Sequence, residues 1–409
     1  MKDKSIIAVL TLIILVSLTA CNRALKVPDK SEVSNTATSD EGDVPGFENN
    51  DKIDIDRDFI EAIGTVRRLP ESSKRRYTYL TLSEEEQKIY EKIYVAIANF
   101  EPVVKFDEGI SFHTFQKIYP LIYLQEGQLF WLSGMYDIFD DKKFEIKLDY
   151  ILSREEAGYA INIINRKTRE LFKELSELNA TDGDKALFIH DYVIENTEYD
   201  KKGSPISQSI YGSFIDGLAQ TQGYVKLFNF LLVNSDDDID AILSKGITES
   251  GNSYSWSSLR LDGEWYNTDL VMDDTPEGIS YNFFNLTDSE ILNKTHFQDL
   301  SYYVPPECKG EKYNYFRYNN LYANSYQQAY NILKTSLMNS AGEVNPTAMV
   351  KFSDKTAFYK TVQHLIDENG IENIIRTVNK KSTKKINNAS VITKINDKIL
   401  TIEIIAEYE

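Results

Sequence analysis

The chain has 409 residues, a formal net charge of −18 at pH 7 and a hydrophobic content of 42%. This length exceeds what a single hydrophobic core usually supports, so the sequence predicts two or three packed units. The negative charge argues against nucleic acid as a partner and against binding to an anionic surface through charge alone.

The N-terminus, MKDKSIIAVLTLIILVSLTAC, has the pattern of an export signal. Two lysines precede an apolar run from Ile6 to Val16, which is short for a membrane span. The ending LTAC resembles a bacterial lipobox, in which the cysteine thiol is acylated and becomes the new N-terminus. That resemblance implies a lipoprotein signal peptide over 1–20. It also implies that Cys21 carries a stable lipid anchor with acyl chains such as palmitate. An uncleaved membrane anchor is the alternative.

Composition and periodicity divide the rest of the chain. The sequence predicts a flexible acidic tether (21–57), an N-terminal helical and hairpin unit (58–178), a central domain (179–308) and a small C-terminal α/β module (309–409). Capping boxes at Ser83 with Glu86 and at Ser153 with Glu156 each predict the start of a helix. The C-terminal module has helix and strand patterns, with a closing hairpin through Asn396, but no motif that indicates chemistry.

The central domain has the most specific patterns. Thr181 caps a predicted helix, and LAQTQGYVKLFNFLLV (218–233) predicts a second helix that is buried on most sides. In SYSWSSLRLDGEWYNTDLVMDD, an Asp-Gly turn should join two strands and pair Leu261 with Glu264. Counting outward from that turn places Tyr254 and Asp269 on one face, within side-chain reach of each other.

Three of these segments together resemble the transglutaminase-like superfamily, which uses a papain-like Cys-His-Asp triad. They are TQGYVKLFNFLL, YSWS and DGEWYNTDLVMDD, and further similarity lies in IHDYVIENTEYD and in YNFFNLTDSEIL with its trailing THF. The resemblance covers most of residues 70–320. It implies an α+β fold with a transglutaminase-like core, and it places Thr221, Tyr254 and Asp269 where the family has its cysteine, histidine and aspartate.

Two of these three residues lack the chemistry of the family's triad. A threonine hydroxyl is not activated as a thiol is, and tyrosine is mostly protonated at pH 7. The sequence therefore predicts no catalytic residues, with Asp269 left without an imidazole to orient and Thr221 acting as a helix cap. Tyr254 either donates a structural hydrogen bond to Asp269 or borders a ligand cleft with Trp256 and Asn267.

The remaining reactive side chains have ordinary interpretations. His190 and His296 are expected to be structural, and Cys308 to be an incidental thiol. The four histidines are dispersed, and neither a CxxC nor an HExxH spacing occurs, so no metal or other cofactor is predicted.

The sequence thus predicts a catalytically degenerate lipoprotein on the extracytoplasmic face of a cell membrane. The composition, rich in Lys, Asn, Ile and Tyr, and the family resemblance point by association to a Gram-positive cell surface. The expected partners are the membrane, through the lipid on Cys21, and a peptide, protein or cell-wall ligand. An unconventional transglutaminase-like hydrolase or peptidase is one alternative, and a surface spacer without a ligand is another.

Overall fold

The computed structural model describes residues 57–106, 112–140, 145–178, 180–235, 239–340 and 347–408. The predicted signal peptide, Cys21 and all of the tether before residue 57 lie outside these ranges. Within them, no helix has both the length and the apolar character that crossing a membrane requires.

The N-terminal part combines helices with a three-stranded antiparallel sheet. Its elements are α1 (Glu71–Lys74), α2 (Tyr77–Leu80), α3 (Glu84–Ala98), β1 (Val103–Lys105), α4 (Phe112–Gln125), β2 (Leu132–Asp140), β3 (Glu145–Tyr150) and α5 (Arg154–Glu177). The strand order is β1-β3-β2, so the predicted hairpin is formed by β2 and β3. Both predicted capping boxes are confirmed, at the starts of α3 and α5.

The central part places helices against a four-stranded antiparallel sheet. Its elements are α6 (Asp182–Glu195), β4 (Glu198–Tyr199), β5 (Leu218–Ala219), α7 (Thr221–Ser235), β6 (Asp240–Thr248), β7 (Ser253–Leu261), β8 (Glu264–Thr268), α8 (Leu270–Asp273), β9 (Asp274–Thr275), β10 (Gly278–Ile279), α9 (Asp288–Ile291) and β11 (His296–Gln298). The sheet has the order β11-β6-β7-β8. The helix α7 is buried along almost its whole length, as its apolar sequence predicts.

The C-terminal part contains a second four-stranded sheet. Its elements are α10 (Tyr315–Tyr318), β12 (Tyr322–Ala323), α11 (Tyr326–Asn339), β13 (Thr347–Phe352), α12 (Lys355–Ile366), α13 (Gly370–Lys381), β14 (Ile392–Asn396) and β15 (Thr401–Ile405). The strand order is β12-β13-β15-β14, and the closing hairpin is confirmed, with Asn396 paired to Thr401.

Buried side chains form one large cluster that joins the N-terminal and central parts, and a second within the C-terminal part. A smaller cluster joins the central sheet to the tip of the β14–β15 hairpin, where Ile399 packs among residues that include Tyr254 and Trp256. The fold is therefore α+β, and its C-terminal hairpin reaches the region where the sequence places the degenerate triad.

Candidate functional site

The β7–β8 hairpin positions Asp269. Asp262 and Gly263 both have positive φ angles (50° and 83°), as a type I′ turn requires. The register runs from Leu261 opposite Glu264 outward, so the predicted pairing is confirmed. Asp269 follows directly after β8 and caps α8, where its Oδ1 accepts hydrogen bonds from the backbone N–H groups of Val271 (3.1 Å) and Met272 (3.2 Å).

Tyr254 donates its hydroxyl to the same carboxylate. The Tyr254 Oη lies 3.1 Å from Asp269 Oδ1, which confirms the predicted structural hydrogen bond. Burial, together with the charge of Asp269, raises the pKa of Tyr254 well above its usual value. The phenol therefore keeps its proton, and it cannot serve as a base near neutral pH.

His296 also binds Asp269, although the sequence indicated that this aspartate has no imidazole to orient. That expectation is wrong, because His296 Nε2 lies 2.8 Å from Asp269 Oδ2. A carboxylate only accepts hydrogen bonds, so Nε2 carries the proton. The other ring nitrogen, Nδ1, is 2.8 Å from the hydroxyl of Thr295, and the ring packs edge-on against Trp256. Nothing in the spacing of the sequence indicates this contact, because it depends on how β11 pairs with β6.

Hydrogen bonds within the chain engage every polar side-chain atom of Asp269 and His296. Both carboxylate oxygens are engaged by donors of this chain, and Asp269 is only 1% exposed. Both nitrogens of His296 are engaged as well, and this side chain is also 1% exposed. The arrangement holds β7, β11 and α8 together, which is a structural role for the carboxylate.

Thr221 does not cap α7, contrary to the prediction. The helix begins at Thr221 itself, and the carbonyl of Gln220 accepts the first helical hydrogen bond, from the N–H of Tyr224 at 3.2 Å. Gln220 therefore holds the capping position. The hydroxyl of Thr221 makes no hydrogen bond to any residue in the described part of the chain, and its residue is 8% exposed.

Trp256 and Asn267 do not border an open cleft, so that prediction is also wrong. Their side chains are 0% and 2% exposed. The indole Nε1 of Trp256 donates to Asn267 Oδ1 at 3.0 Å, and the Asn267 amide donates to Asp288 Oδ1 at 2.8 Å. These buried polar groups satisfy one another inside the sheet.

A second buried histidine lies between two carboxylates. His190 Nδ1 is 2.9 Å from Asp191 Oδ1, and His190 Nε2 is 3.3 Å from Asp273 Oδ2. Burial disfavours the charged imidazole, but its hydrogen bond to Asp191 and its ion pair with Asp273 outweigh this and raise the pKa of His190 to about 9. Burial also raises the pKa of Asp273 to about 6, against the opposing effect of His190. This ion pair joins α6 to α8 and supports the structural interpretation of His190.

The raised pKa of His190 predicts a stability that depends on pH. Its stabilising contribution is complete below the unfolded pKa of about 6.5 and is lost as the pH rises through about 9. We expect the difference in unfolding free energy between wild type and His190→Gln to shrink by roughly 2–3 kcal/mol from pH 6 to pH 10. Denaturant unfolding measures both proteins. The difference is the useful quantity because burial lowers the pKa of Lys226 to about 7, which acts in the opposite direction in both proteins. A constant difference would contradict the assignment.

Cys308 is linked to Asn267 through Asp288, whose Oδ2 accepts a hydrogen bond from the backbone N–H of Cys308 at 3.0 Å. Cys308 is buried, and burial raises the pKa of its thiol, so it is protonated and unreactive at neutral pH. Among the described residues, no group of three or more His, Cys, Asp or Glu side chains is arranged to hold a metal ion.

Comparison with known proteins gives only partial similarity. No family profile matches the sequence. No curated protein matches it. Among solved structures, a candidate cysteine protease from Cytophaga hutchinsonii is 16% identical, with coverage of 26% of this chain and 37% of that chain and a TM-score of 0.23. A structure described as a TGase is 12% identical, with coverage of 42% and 51% and a TM-score of 0.23. The chain thus spans about a third and about half of the lengths of these two structures.

Proposed function

We propose that this protein is a lipid-anchored extracytoplasmic protein whose transglutaminase-like domain binds a peptide, protein or cell-wall ligand without catalysis. The observation that carries the proposal is the closed set of hydrogen bonds around Asp269. The residues at the family's cysteine and histidine positions, Thr221 and Tyr254, lack the triad's chemistry, and the imidazole that does reach Asp269 has both nitrogens engaged.

Catalysis by Thr221 would depend on a general base. A threonine hydroxyl acts as a nucleophile only when a nearby base removes its proton. Tyr254 keeps its own proton because its pKa is raised, and its hydroxyl already donates to Asp269. His296 Nδ1 is held by Thr295, and the ring is buried. None of these groups offers Thr221 a free base.

A cleft of about 510 Å³ beside this site supports the binding part of the proposal. It lies next to the Asp269 network, since its lining includes Met272, Phe283 and Thr295, and it continues onto the C-terminal hairpin through Asn396 and Thr401. The lining combines hydroxyl and amide groups and one aromatic ring with charged side chains, among them Lys394 and Asp397. Such a mixture suits the polar backbone of a peptide or the hydroxyls of a glycan. We assign the ligand to this cleft, which lies outside the buried residues that the sequence indicated.

The test is turnover by the purified full chain. We expect wild type to release no more product from peptide, amide or amine-acceptor substrates than the Thr221→Ala variant does. Iodoacetamide should change nothing, because the thiol of Cys308 is buried and protonated. Robust turnover that Thr221→Ala abolishes would overturn the proposal.

A control variant checks that Thr221 occupies the position of a family nucleophile. In Thr221→Cys the new thiol lies in the first turn of α7, where the helix dipole favours the thiolate. Adding Tyr254→His should speed its alkylation by iodoacetamide at pH 6, because a neighbouring imidazolium stabilises a thiolate. An unchanged alkylation rate would show that the two positions do not face each other as the family pattern requires.

One observation favours the alternative, an unconventional hydrolase or peptidase. The pair formed by His296 and Asp269 resembles the imidazole and carboxylate of a triad in its components. This alternative requires His296 to release Thr295 and to reach a nucleophile. A His296→Gln variant that folds normally and loses a measurable wild-type activity would support the alternative.

A further inference from the structure

A second cleft, of about 500 Å³, lies between the central part and the C-terminal part. Five basic side chains line it, and we call it the basic cleft: Lys294, Arg317, Lys351, Lys355 and Lys398. Four acidic side chains line it as well: Glu249, Glu290, Glu311 and Asp397. A small excess of positive charge in one cleft contrasts with the net charge of −18 of the whole chain.

Lys351 is the unusual member of this set. It lies in β13, a strand of otherwise mostly apolar buried residues, and is only 3% exposed. Its ammonium group is 2.9 Å from Glu290 Oε1, which is its ion-pair partner among the described residues, and lies 5.3 Å from the centre of the Phe316 ring. An ammonium group has three N–H donors, and burying it costs free energy that one ion pair does not fully offset. Packing alone therefore does not explain a lysine at this position.

The carboxylate of Glu290 also accepts hydrogen bonds from donors other than Lys351. Its Oε2 accepts hydrogen bonds from the backbone N–H (2.9 Å) and the hydroxyl (3.0 Å) of Thr287, and its Oε1 accepts one from the hydroxyl of Tyr322 at 3.1 Å. The negative charge of Glu290 is thus shared with these groups, and Lys351 retains N–H donors for another acceptor.

The rim of the basic cleft contains both paired and unpaired cations. Arg317 pairs with Glu311 at 3.2 Å and lies over the ring of Tyr322, and Lys398 pairs with Glu249. Lys294 and Lys355, both exposed, have no ion-pair partner within the described ranges.

The helix α12 adds a favourable dipole. It has 12 residues and begins at Lys355, so the positive end of its dipole lies at the basic cleft. The side chain of Asp354 caps only the N–H of Ala357, which leaves other N–H groups of the first turn for a ligand.

We propose that the basic cleft binds a small ligand through a phosphoryl group. Four of its five cations are lysines, whose compact ammonium groups can approach the oxygens of a tetrahedral phosphoryl group from several directions, whereas the two oxygens of a carboxylate lie in one plane. Lys351 contacts the ligand at the base of the cleft, and Lys294 and Lys355 contact it at the rim. The group belongs to either a phosphate monoester or a phosphodiester.

This inference goes beyond the proposed function and does not depend on it. The basic cleft shares Asp397 and Lys398 with the neighbouring cleft to which we assign the ligand of the proposed function, but it shares no residue with the Asp269 network. The inference requires neither the presence nor the absence of catalysis. Failure of phosphate binding would leave the turnover test unaffected, and turnover by wild type would leave the phosphate test unaffected.

The test is calorimetric titration of the full chain at constant ionic strength. The probes are inorganic phosphate, glycerol 3-phosphate as a monoester, and glycerophosphoglycerol as a diester, with acetate as the carboxylate control. We expect saturable binding of inorganic phosphate and of at least one of the two esters, and weaker binding of acetate. The better ester identifies the source of the phosphoryl group. Absence of saturation by all three phosphoryl probes, or tighter binding of acetate, would overturn the proposal.

Three exposed lysines provide matched variants. Lys294→Gln and Lys355→Gln should each weaken phosphate binding by about fivefold, as expected for the loss of one partly exposed ion pair. Lys360→Gln, an exposed change on α12 outside the cleft lining, should leave binding unchanged. Lys351→Met should abolish binding, and the two exposed variants keep the proposal testable if this buried change prevents folding. Equal losses in Lys360→Gln and Lys355→Gln would indicate nonspecific charge attraction and would contradict the assigned site.

Discussion

Replacement of Asp269 by alanine is expected to lower the free energy of unfolding by about 3–5 kcal/mol. The carboxylate accepts hydrogen bonds from the side chains of Tyr254 and His296 and from the backbone N–H groups of Val271 and Met272. Alanine leaves these donors unsatisfied, and the phenol and the imidazole are buried, so each loses a hydrogen bond that water cannot replace. Denaturant unfolding at pH 7 measures the change.

Two further variants serve as controls for Asp269→Ala. Tyr254→Phe removes a single donor and should cost only about 1 kcal/mol. Asp149→Ala removes an exposed aspartate of β3 and should change stability by no more than about 0.5 kcal/mol. If Asp269→Ala is no more costly than Asp149→Ala, the Asp269 network does not hold the fold together.

The Asp269→Asn variant distinguishes a structural role of the carboxylate from a catalytic one. Its carbonyl oxygen can still accept from Tyr254 and from the two backbone groups, while its amide can donate to His296 if the imidazole changes tautomer. We therefore expect Asp269→Asn to be considerably milder than the alanine variant. In a working triad the same change would be severe for activity, because the aspartate fixes the tautomer of the histidine.

Local patterns in the sequence predicted much of this architecture. The capping boxes at Ser83 and Ser153, and the Asp262–Gly263 turn with its register, depend on residues that are close in sequence. Once the turn type sets the register, the alternation of side chains along two strands places Tyr254 next to Asp269. These features could be read from the chain because few long-range contacts influence them.

The features that sequence reasoning missed depend on distant segments. His296 reaches Asp269 only because β11 pairs with β6, and β6 with β7. Lys351 is notable only because the C-terminal sheet buries it opposite Glu290, although a lysine inside the apolar segment TAMVKF was a visible signal. The cap of α7 is Gln220, one residue before the predicted Thr221, and only the backbone hydrogen bonds of the folded chain distinguish the two positions.

The prediction that Trp256 and Asn267 border a cleft was wrong for a related reason. Trp256 and Asn267 have side chains that suit a ligand, but each is the other's hydrogen-bond partner in the folded chain. Residue type alone does not distinguish a binding surface from a satisfied interior, since both need aromatic and amide groups. The cleft beside them, lined partly by the C-terminal hairpin, requires the packing of two parts of the chain that are distant in sequence.

The second large expected effect concerns the proposed lipid anchor on Cys21. We expect Cys21→Ser to abolish incorporation of labelled palmitate and to move the protein from the membrane fraction into the medium, or to leave it as an unprocessed precursor. The physical reason is that serine has no thiol to form the thioether, and acyl chains supply the affinity for the bilayer. Fractionation with immunoblotting, together with lipid labelling, measures both changes.

Cys308→Ser is the matched control, because it removes the other cysteine of the sequence. Its thiol is buried in the fold, where an acyl transferase has no access, so this variant should remain labelled and membrane-bound. Within the described ranges no helix is suited to span a bilayer, so the experiment has no second anchor to account for there. If Cys21→Ser stays membrane-bound and is processed normally, the N-terminal segment acts as an uncleaved anchor, and the lipoprotein proposal is wrong.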